Sequence, residues 1–315
     1  MNERTISTIA LRDGEYDNLS QTLNDAARLV ELAASQGAEL VVFPETINLL
    51  HRHESAAPLE QFALGDWQKI TEQLRERAAR SHVAMVLPLL VAEEQSLANC
   101  FYFLDRDGSV IGTYQKRVPA EGEVAAGVVA AESAPIRWNG LSMGGAICVD
   151  LYYPQAVFEP QVNAGVDCFL IPSMTPGGSL LEAYAITYGV PFVLAYSPWS
   201  RILDRDGYEL AAGGYRSETL RAGFGLPIQQ ATINFDAVTL FADHNQEKVQ
   251  ELLLHYGSKV RIRFNQPNCT FMLESRSPDL TVAEIMREFD LISRRDYFAR
   301  HAPCPLATAS DSHRH

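Results

Sequence analysis

The 315-residue sequence predicts an α/β fold in a single domain. Three observations point there. Apolar strand-like runs alternate with amphipathic helices along most of the chain, the pattern of βαβ units. Several of the runs are almost wholly apolar, as strands covered on both faces are. Two Asp-Gly pairs stand between apolar segments, where hairpin turns are expected.

The elements follow in order. "ISTIALR" (6–12) reads as the first strand. "NLSQTLNDAARLVELAASQG" (18–37) is a helix: Leu23, Ala26, Ala27, Val30, Leu32 and Ala33 recur at helical spacing, and Gly37 is placed to end it. "AELVVFPE" (38–45) is a short apolar strand that stops at Pro44. "DWQKITEQLRERAARS" (66–81) is a second amphipathic helix and "HVAMVLPLLV" (82–91) a buried strand. "NCFYFLDRDGSVIGTYQK" (99–116) is a hairpin turning at Asp107-Gly108. "LSMGGAICV" (141–149), "VDCFLIPS" (166–173) and "VPFVLAYSP" (190–198) are strands, separated by helices at 154–165 and 179–189.

A second hairpin spans 201–211 and turns at Asp206-Gly207, so "LDRDGYELA" echoes the earlier "LDRDGSVIG". A calcium loop is excluded there, because the glycine falls at position four and no glutamate follows at twelve. The echo predicts two halves with similar plans. "QATINFD" (230–236) closes the sheet region. No low-complexity linker interrupts the chain, so residues 1–264 are expected to form the main domain and 265–315 a C-terminal extension. Within the extension, 265–280 reads as loop, 281–300 as helix and 305–315 as a frayed polar end.

Charge and composition exclude some functions. The net charge is −13, which repels nucleic acid and anionic membrane surfaces. The basic knots at 75–80, 259–263 and 293–295 are short and read as solvated faces. The longest apolar run, 83–92, is far too short to cross a bilayer. The start "MNERTISTIALRDG" has no apolar signal core, so a cytoplasmic location is expected. Five cysteines without a CxxC pair fit a reducing compartment. "HRHE" (51–54) could present cations to an acidic substrate, but two histidines without a third ligand make a poor metal site.

Three apolar strands finish on a reactive side chain: Glu45 after "VVFP", Lys116 after "GTYQ" and Cys148 after "GGAI". Ligands in α/β sheets bind beyond the carboxyl ends of strands. Each residue alone has a plain structural reading: a core cysteine, a solvated lysine, a helix cap. Cys100 and Cys168 lie in strands with no charged neighbour of this kind and are assigned to the core, and nothing beside Cys269 or Cys304 suggests activation. Gly144, Gly145 and Ala146 allow close backbone approach behind Cys148, or tight packing, or both.

In order and local wording, "VVFPE", "YQK" and "AICVDLYYP" resemble the motifs of the nitrilase superfamily, the carbon–nitrogen hydrolases. The resemblance covers residues 5 to about 240. It implies a nitrilase-like four-layer α-β-β-α sandwich and a Glu–Lys–Cys triad: Glu45 as general base, Lys116 as cationic stabiliser and Cys148 as nucleophile. A second glutamate is implied from "KRVPAEGEVAAG", where the "PAEG" wording favours Glu121 over Glu123. Cys148-Val149-Asp150 is closer to the Cys-x-Asp of amidase and carbamoylase branches than to the Cys-Trp-Glu of nitrilases. The implied reaction is hydrolysis of a non-peptide C–N bond, in a small amide or carbamoyl compound, through a cysteine acyl-enzyme.

No cofactor or metal is implied, and association into a homodimer or higher homo-oligomer is, with 265–315 at the subunit interface. Nitrile hydrolysis, acyl transfer by the same triad, and a non-catalytic nitrilase-like binding protein are the alternatives. The chain departs from the family pattern at Arg117-Val118, where His-Leu is usual, at Pro154-Gln155, where many members have Pro-Glu, and in the shortened segment 173–200.

Overall fold

A computed structural model describes residues 2–12, 14–52, 57–215 and 226–300. The chain divides into two compact units, Met1–Asp236 and Ala237–His315.

In chain order the first unit runs β1 (Glu3–Ile9), α1 (Leu19–Ser35), β2 (Leu40–Val42), α2 (Trp67–Ile70), α3 (Glu72–Arg80), β3 (Ala84–Ala92), β4 (Leu97–Leu104) and β5 (Val110–Gln115). There follow α4 (Glu121–Ala125), β6 (Ile136–Trp138), β7 (Leu141–Gly145), α5 (Pro154–Asn163), β8 (Cys168–Pro172) and α6 (Gly178–Tyr188). β9 (Phe192–Ala195), β10 (Ser200–Leu203), β11 (Glu209–Gly213) and β12 (Ile228–Asn234) complete it. The strands make two six-stranded sheets, ordered β12-β1-β2-β3-β4-β5 and β11-β10-β9-β8-β7-β6. Each has three parallel strands at its centre, β1-β2-β3 and β7-β8-β9, with antiparallel strands outside them.

The two-residue period of the strands sorts their side chains into layers. Val41, Met85 and Leu87 point out to Ala26 and Val30 of α1 and to Leu74 and Ala78 of α3. Leu40, Val42, Val86 and Phe101 point the other way, and meet Met143, Leu170 and Val193 of the second sheet. That sheet turns Phe169, Ile171 and Phe192 toward Val157 and Phe158 of α5 and Leu181 of α6. The result is the expected helix–sheet–sheet–helix sandwich. Pro88 is tolerated inside β3 because β2 ends level with Val86, so no partner on that side needs an N–H at 88. α1 starts on Asn18, whose side chain accepts from the Gln21 N–H at 3.1 Å.

The repeated hairpins share one turn geometry. Gly108 and Gly207 take φ +82° and +79°, and their N–H groups reach Asp105 O and Asp204 O at 2.9 Å in both cases. Arg106 N and Arg205 N each bond the preceding aspartate side chain at 2.8 Å. The Asp-Gly signal was therefore sound in both halves.

Several elements differ from expectation. The single domain ending at 264 is corrected: the division falls after Asp236, because 237–264 pairs within a sheet of its own. β13 (Ala237–Phe241) and β14 (Val260–Asn265) flank β15 (Thr270–Ser275) antiparallel. β15 lies where a loop was expected, and every one of its residues is buried. The helix expected over 281–300 is two, Val282–Glu288 and Arg294–Arg300, with Asp290 between them at φ +47°. The helix expected over 66–81 breaks at Thr71 into α2 and α3, and β6 was not foreseen. Among the described residues, no helix is long and apolar enough to cross a membrane.

Candidate active site

Glu45, Lys116 and Cys148 come together past the strand ends of the two facing sheets. Glu45 follows β2 by three residues, and the next residue, Thr46, sits at φ +43°, unusual for a β-branched side chain. Lys116 directly follows β5, where its N–H bonds Asn99 O of β4 at 2.9 Å. β7 ends at Gly145, and Cys148 opens a 3₁₀ turn, Cys148–Tyr152, at φ +48°. The nucleophile candidate thus lies on a turn rather than inside the strand expected over 141–149. Such a conformation costs a non-glycine residue of order 1 kcal/mol and persists only where the surroundings impose it.

The polar groups are buried and closely paired. Lys116 is 1% exposed, Glu45 4% and Cys148 6%. Lys116 Nζ lies 2.8 Å from Glu45 Oε1 and 2.7 Å from Glu123 Oε2. Asn99 Nδ2 donates to the same two carboxylates, at 2.8 Å to Glu45 Oε1 and 2.5 Å to Glu123 Oε1. The other Glu45 oxygen, Oε2, accepts from Met174 N at 3.1 Å. The Glu45 carboxylate, Lys116 and the Met174 N–H all act on the Cys148 thiol. Its sulfur lies 3.9 Å from Thr175 Oγ1.

The electrostatics follow from these contacts. Burial and the Glu45 carboxylate push the Cys148 thiol up to about 11, against the pull of Lys116 and the Met174 N–H. The resting sulfur is therefore a protonated thiol beside a carboxylate. Burial pulls the Lys116 ammonium down, but Glu45 and Glu123 together outweigh it and hold the group above its ordinary value. Burial alone dominates at Cys100, pushed up to about 12, and raises Cys168 further. Arg205, Asp167 and Asp204 act on Cys168 and Glu93 on Cys100, but burial outweighs them at both, in keeping with core positions.

The second glutamate is corrected from Glu121 to Glu123 as the one beside Lys116. Both belong to α4, but Glu121 is exposed at its first position. Glu123 folds back onto the Ala120 N–H at 2.6 Å, at the helix N-terminus, and from there reaches Lys116 and Asn99. An i, i+2 choice on a five-residue helix could be decided only by its docking. Asn99 and Asp150 were also missed as site residues, though Asn99 pairs opposite Lys116 once the hairpin register is known. His51 packs edge-on against Phe62 at 5.4 Å, while His53 and Glu54 of "HRHE", and Cys304, lie outside the described residues. Tyr152, the last residue of the cysteine turn, and Tyr153 are both exposed.

The profile of the family described as carbon–nitrogen hydrolase matches residues 8–186, more than half of the chain. The chain belongs to the carbon–nitrogen hydrolase family. A deaminated glutathione amidase of Synechocystis sp. is 26% identical over 177 residues, covering 52% of this chain and 64% of that protein. The chain thus spans somewhat less than two thirds of that curated relative. Among solved structures, a carbon–nitrogen hydrolase from Helicobacter pylori G27 superposes with TM-score 0.62 at 17% identity, covering 81% of this chain and 93% of the other. An amidase from Nesterenkonia sp. gives TM-score 0.58 at 19% identity, covering 80% and 96%. A double mutant of the AN1 enzyme, in complex with acrylamide, gives 0.60 at 19%, covering 81% and 98%. At these identities the structural likeness establishes the fold of this carbon–nitrogen hydrolase family member, and the site rests on its own geometry.

Proposed function

We propose that this carbon–nitrogen hydrolase family member cleaves a small non-peptide amide or carbamoyl bond through a Cys148 acyl-enzyme. The observation that carries the reading is a buried thiol under the influence of a carboxylate that itself holds an ammonium at 2.8 Å. Glu45 takes the thiol proton as sulfur attacks the substrate carbon. Lys116 has three N–H groups, two of them directed at Glu45 and Glu123, and the third is available to the developing oxyanion. The Val149 N–H, at the open start of the 3₁₀ turn, is the natural second donor. Glu45 returns its proton to the departing amine as the C–N bond breaks. Water then attacks the thioester, Glu45 accepts its proton, and passes it to the sulfur as the acid leaves.

The relatives favour amide over nitrile. The Synechocystis protein is named an amidase, and the Nesterenkonia enzyme binds acrylamide and butyramide in mutant form. Glutamate variants of that enzyme carry the acetamide moiety of fluoroacetamide on the active-site cysteine. Glu123 is the second glutamate of this mechanism, holding Lys116 together with Glu45. The test is ammonia release from a panel of small amides, carbamoyl compounds and nitriles. Release from amide or carbamoyl compounds that is abolished in Cys148→Ala supports the proposal. Release that persists in Cys148→Ala, or that occurs from nitriles alone, overturns it.

A further inference from the structure

One buried carboxylate gathers the backbone on both sides of the site. Asp150 is fully buried. Its Oδ2 accepts from the Ile147 N–H at 2.9 Å, one residue before Cys148, and from the Arg117 N–H at 3.4 Å, one residue after Lys116. Its Oδ1 accepts from the Val118 N–H at 2.8 Å. The phenol of Tyr114, two residues before Lys116, donates to Oδ2 at 2.9 Å. Four donors thus converge on one side chain, three of them backbone groups from the two segments that carry Cys148 and Lys116.

The packing has been cleared for this contact. A Cβ on Gly145 would stand 2.5 Å from the Tyr114 ring and 2.9 Å from Phe101. Only a glycine lets the ring lie over the end of β7 and reach Asp150. Burial pushes the Asp150 carboxyl up, and the surrounding donors pull it back. Tyr114 is held as a donor, its phenol raised by burial and by Asp150.

We infer that Asp150 is a positioning residue: with Tyr114 seated on Gly145 it forms an internal strut that fixes the left-handed Cys148 turn against the Lys116 strand end. This rests on the proposed roles of Cys148 and Lys116. It also gives the aspartate of Cys148-Val149-Asp150 a physical task. The side chain sits one layer behind the reacting atoms and orders them through the backbone.

The experiment uses the full chain and follows iodoacetamide alkylation of Cys148 against pH, by peptide mass spectrometry with Cys100 and Cys168 as internal controls. Asp150→Ala, Asp150→Asn and Tyr114→Phe are compared with the unaltered chain, alongside ammonia release and urea unfolding. Freed from Glu45, the thiol in Asp150→Ala should titrate about one pH unit or more below its value of about 11, with turnover reduced tenfold or more. Asp150→Asn removes the same charge but keeps an acceptor oxygen, so it should be partly rescued on both counts. Tyr114→Phe should fall between Asp150→Asn and the unaltered chain, and keeps the test open if Asp150→Ala does not fold. Equal thiol shifts in Asp150→Asn and Asp150→Ala would assign the effect to charge and overturn positioning. So would a loss of stability with an unmoved thiol and unchanged turnover. Glu45→Gln run beside them separates the failures: if it too leaves the thiol unmoved, the reading of the site falls, and otherwise only the strut does.

Discussion

Replacing Glu45 by Gln should split two properties that usually fall together. In the resting site the thiol is held protonated first by burial and next by the Glu45 carboxylate. The rise from an ordinary 9 to about 11 corresponds to about 3 kcal/mol in favour of the neutral sulfur. Glu45→Gln removes the negative charge and the proton-accepting carboxylate while Lys116 stays beside Glu123. The thiol pKa should therefore fall toward the usual cysteine range, and the thiolate become more populated at neutral pH. Hydrolysis should nevertheless collapse by about 10²- to 10⁴-fold, because proton transfer to the amine and from water has lost its carrier. The assay pairs the pH profile of Cys148 alkylation with ammonia release at neutral pH. A downward-shifted alkylation profile with lost turnover is expected. An upward or unmoved profile would refute the electrostatic reasoning, and retained turnover would refute Glu45 as the base.

Other perturbations test the surroundings. Lys116→Met leaves the buried Glu45 and half-buried Glu123 carboxylates without their ammonium, so urea unfolding should show a loss of about 3–5 kcal/mol, and the Cys148 thiol should titrate higher still, since Lys116 is a group that lowers it. Gly145→Ala forces the Tyr114 ring to move and should cost about 1–3 kcal/mol in thermal or urea unfolding, with turnover falling further than the stability loss explains. Alkali should destabilise the fold through Cys100. The folded state keeps that thiol protonated up to about 12, whereas the unfolded chain loses the proton near 9, so stability falls by about 1.4 kcal/mol per pH unit between those values. Cys100→Ala should make the fall in stability between pH 8 and pH 10, measured by urea unfolding, shallower by about that one thiol's share, the raised Cys148 and Cys168 thiols contributing slopes of the same sign.

Much of this was legible in the sequence, for local reasons. The apolar runs of β2, β3, β7 and β8 and the Asp-Gly turns are decided by their own residues. So is the placement of Glu45, Lys116 and Cys148 just past strand ends. What stayed hidden depends on docking. The sequence wording pointed to Glu121, but the Ala120 N–H draws Glu123 back toward Lys116. Asn99 looks like the first residue of an apolar strand, and becomes a site residue only when β4 and β5 set it opposite Lys116. Gly145 packs tightly, but against Tyr114 and Phe101 of the facing sheet and not between sheet and helix. β15 was misread because "NCTFMLES" carries no alternation. It is buried along its whole length, being the central strand of the small sheet.

The most direct test of the central claim is the mass of Cys148 itself. The protein is mixed with a small amide that it turns over, quenched in acid within the first turnovers, and digested for peptide mass spectrometry. The mechanism predicts the mass of the acyl half of the substrate on the peptide carrying Cys148, absent from the Cys100 and Cys168 peptides, and lost on longer incubation as water completes the cycle. Ammonia release with an unmodified Cys148 at every quench time, together with full activity in Cys148→Ala, would contradict it.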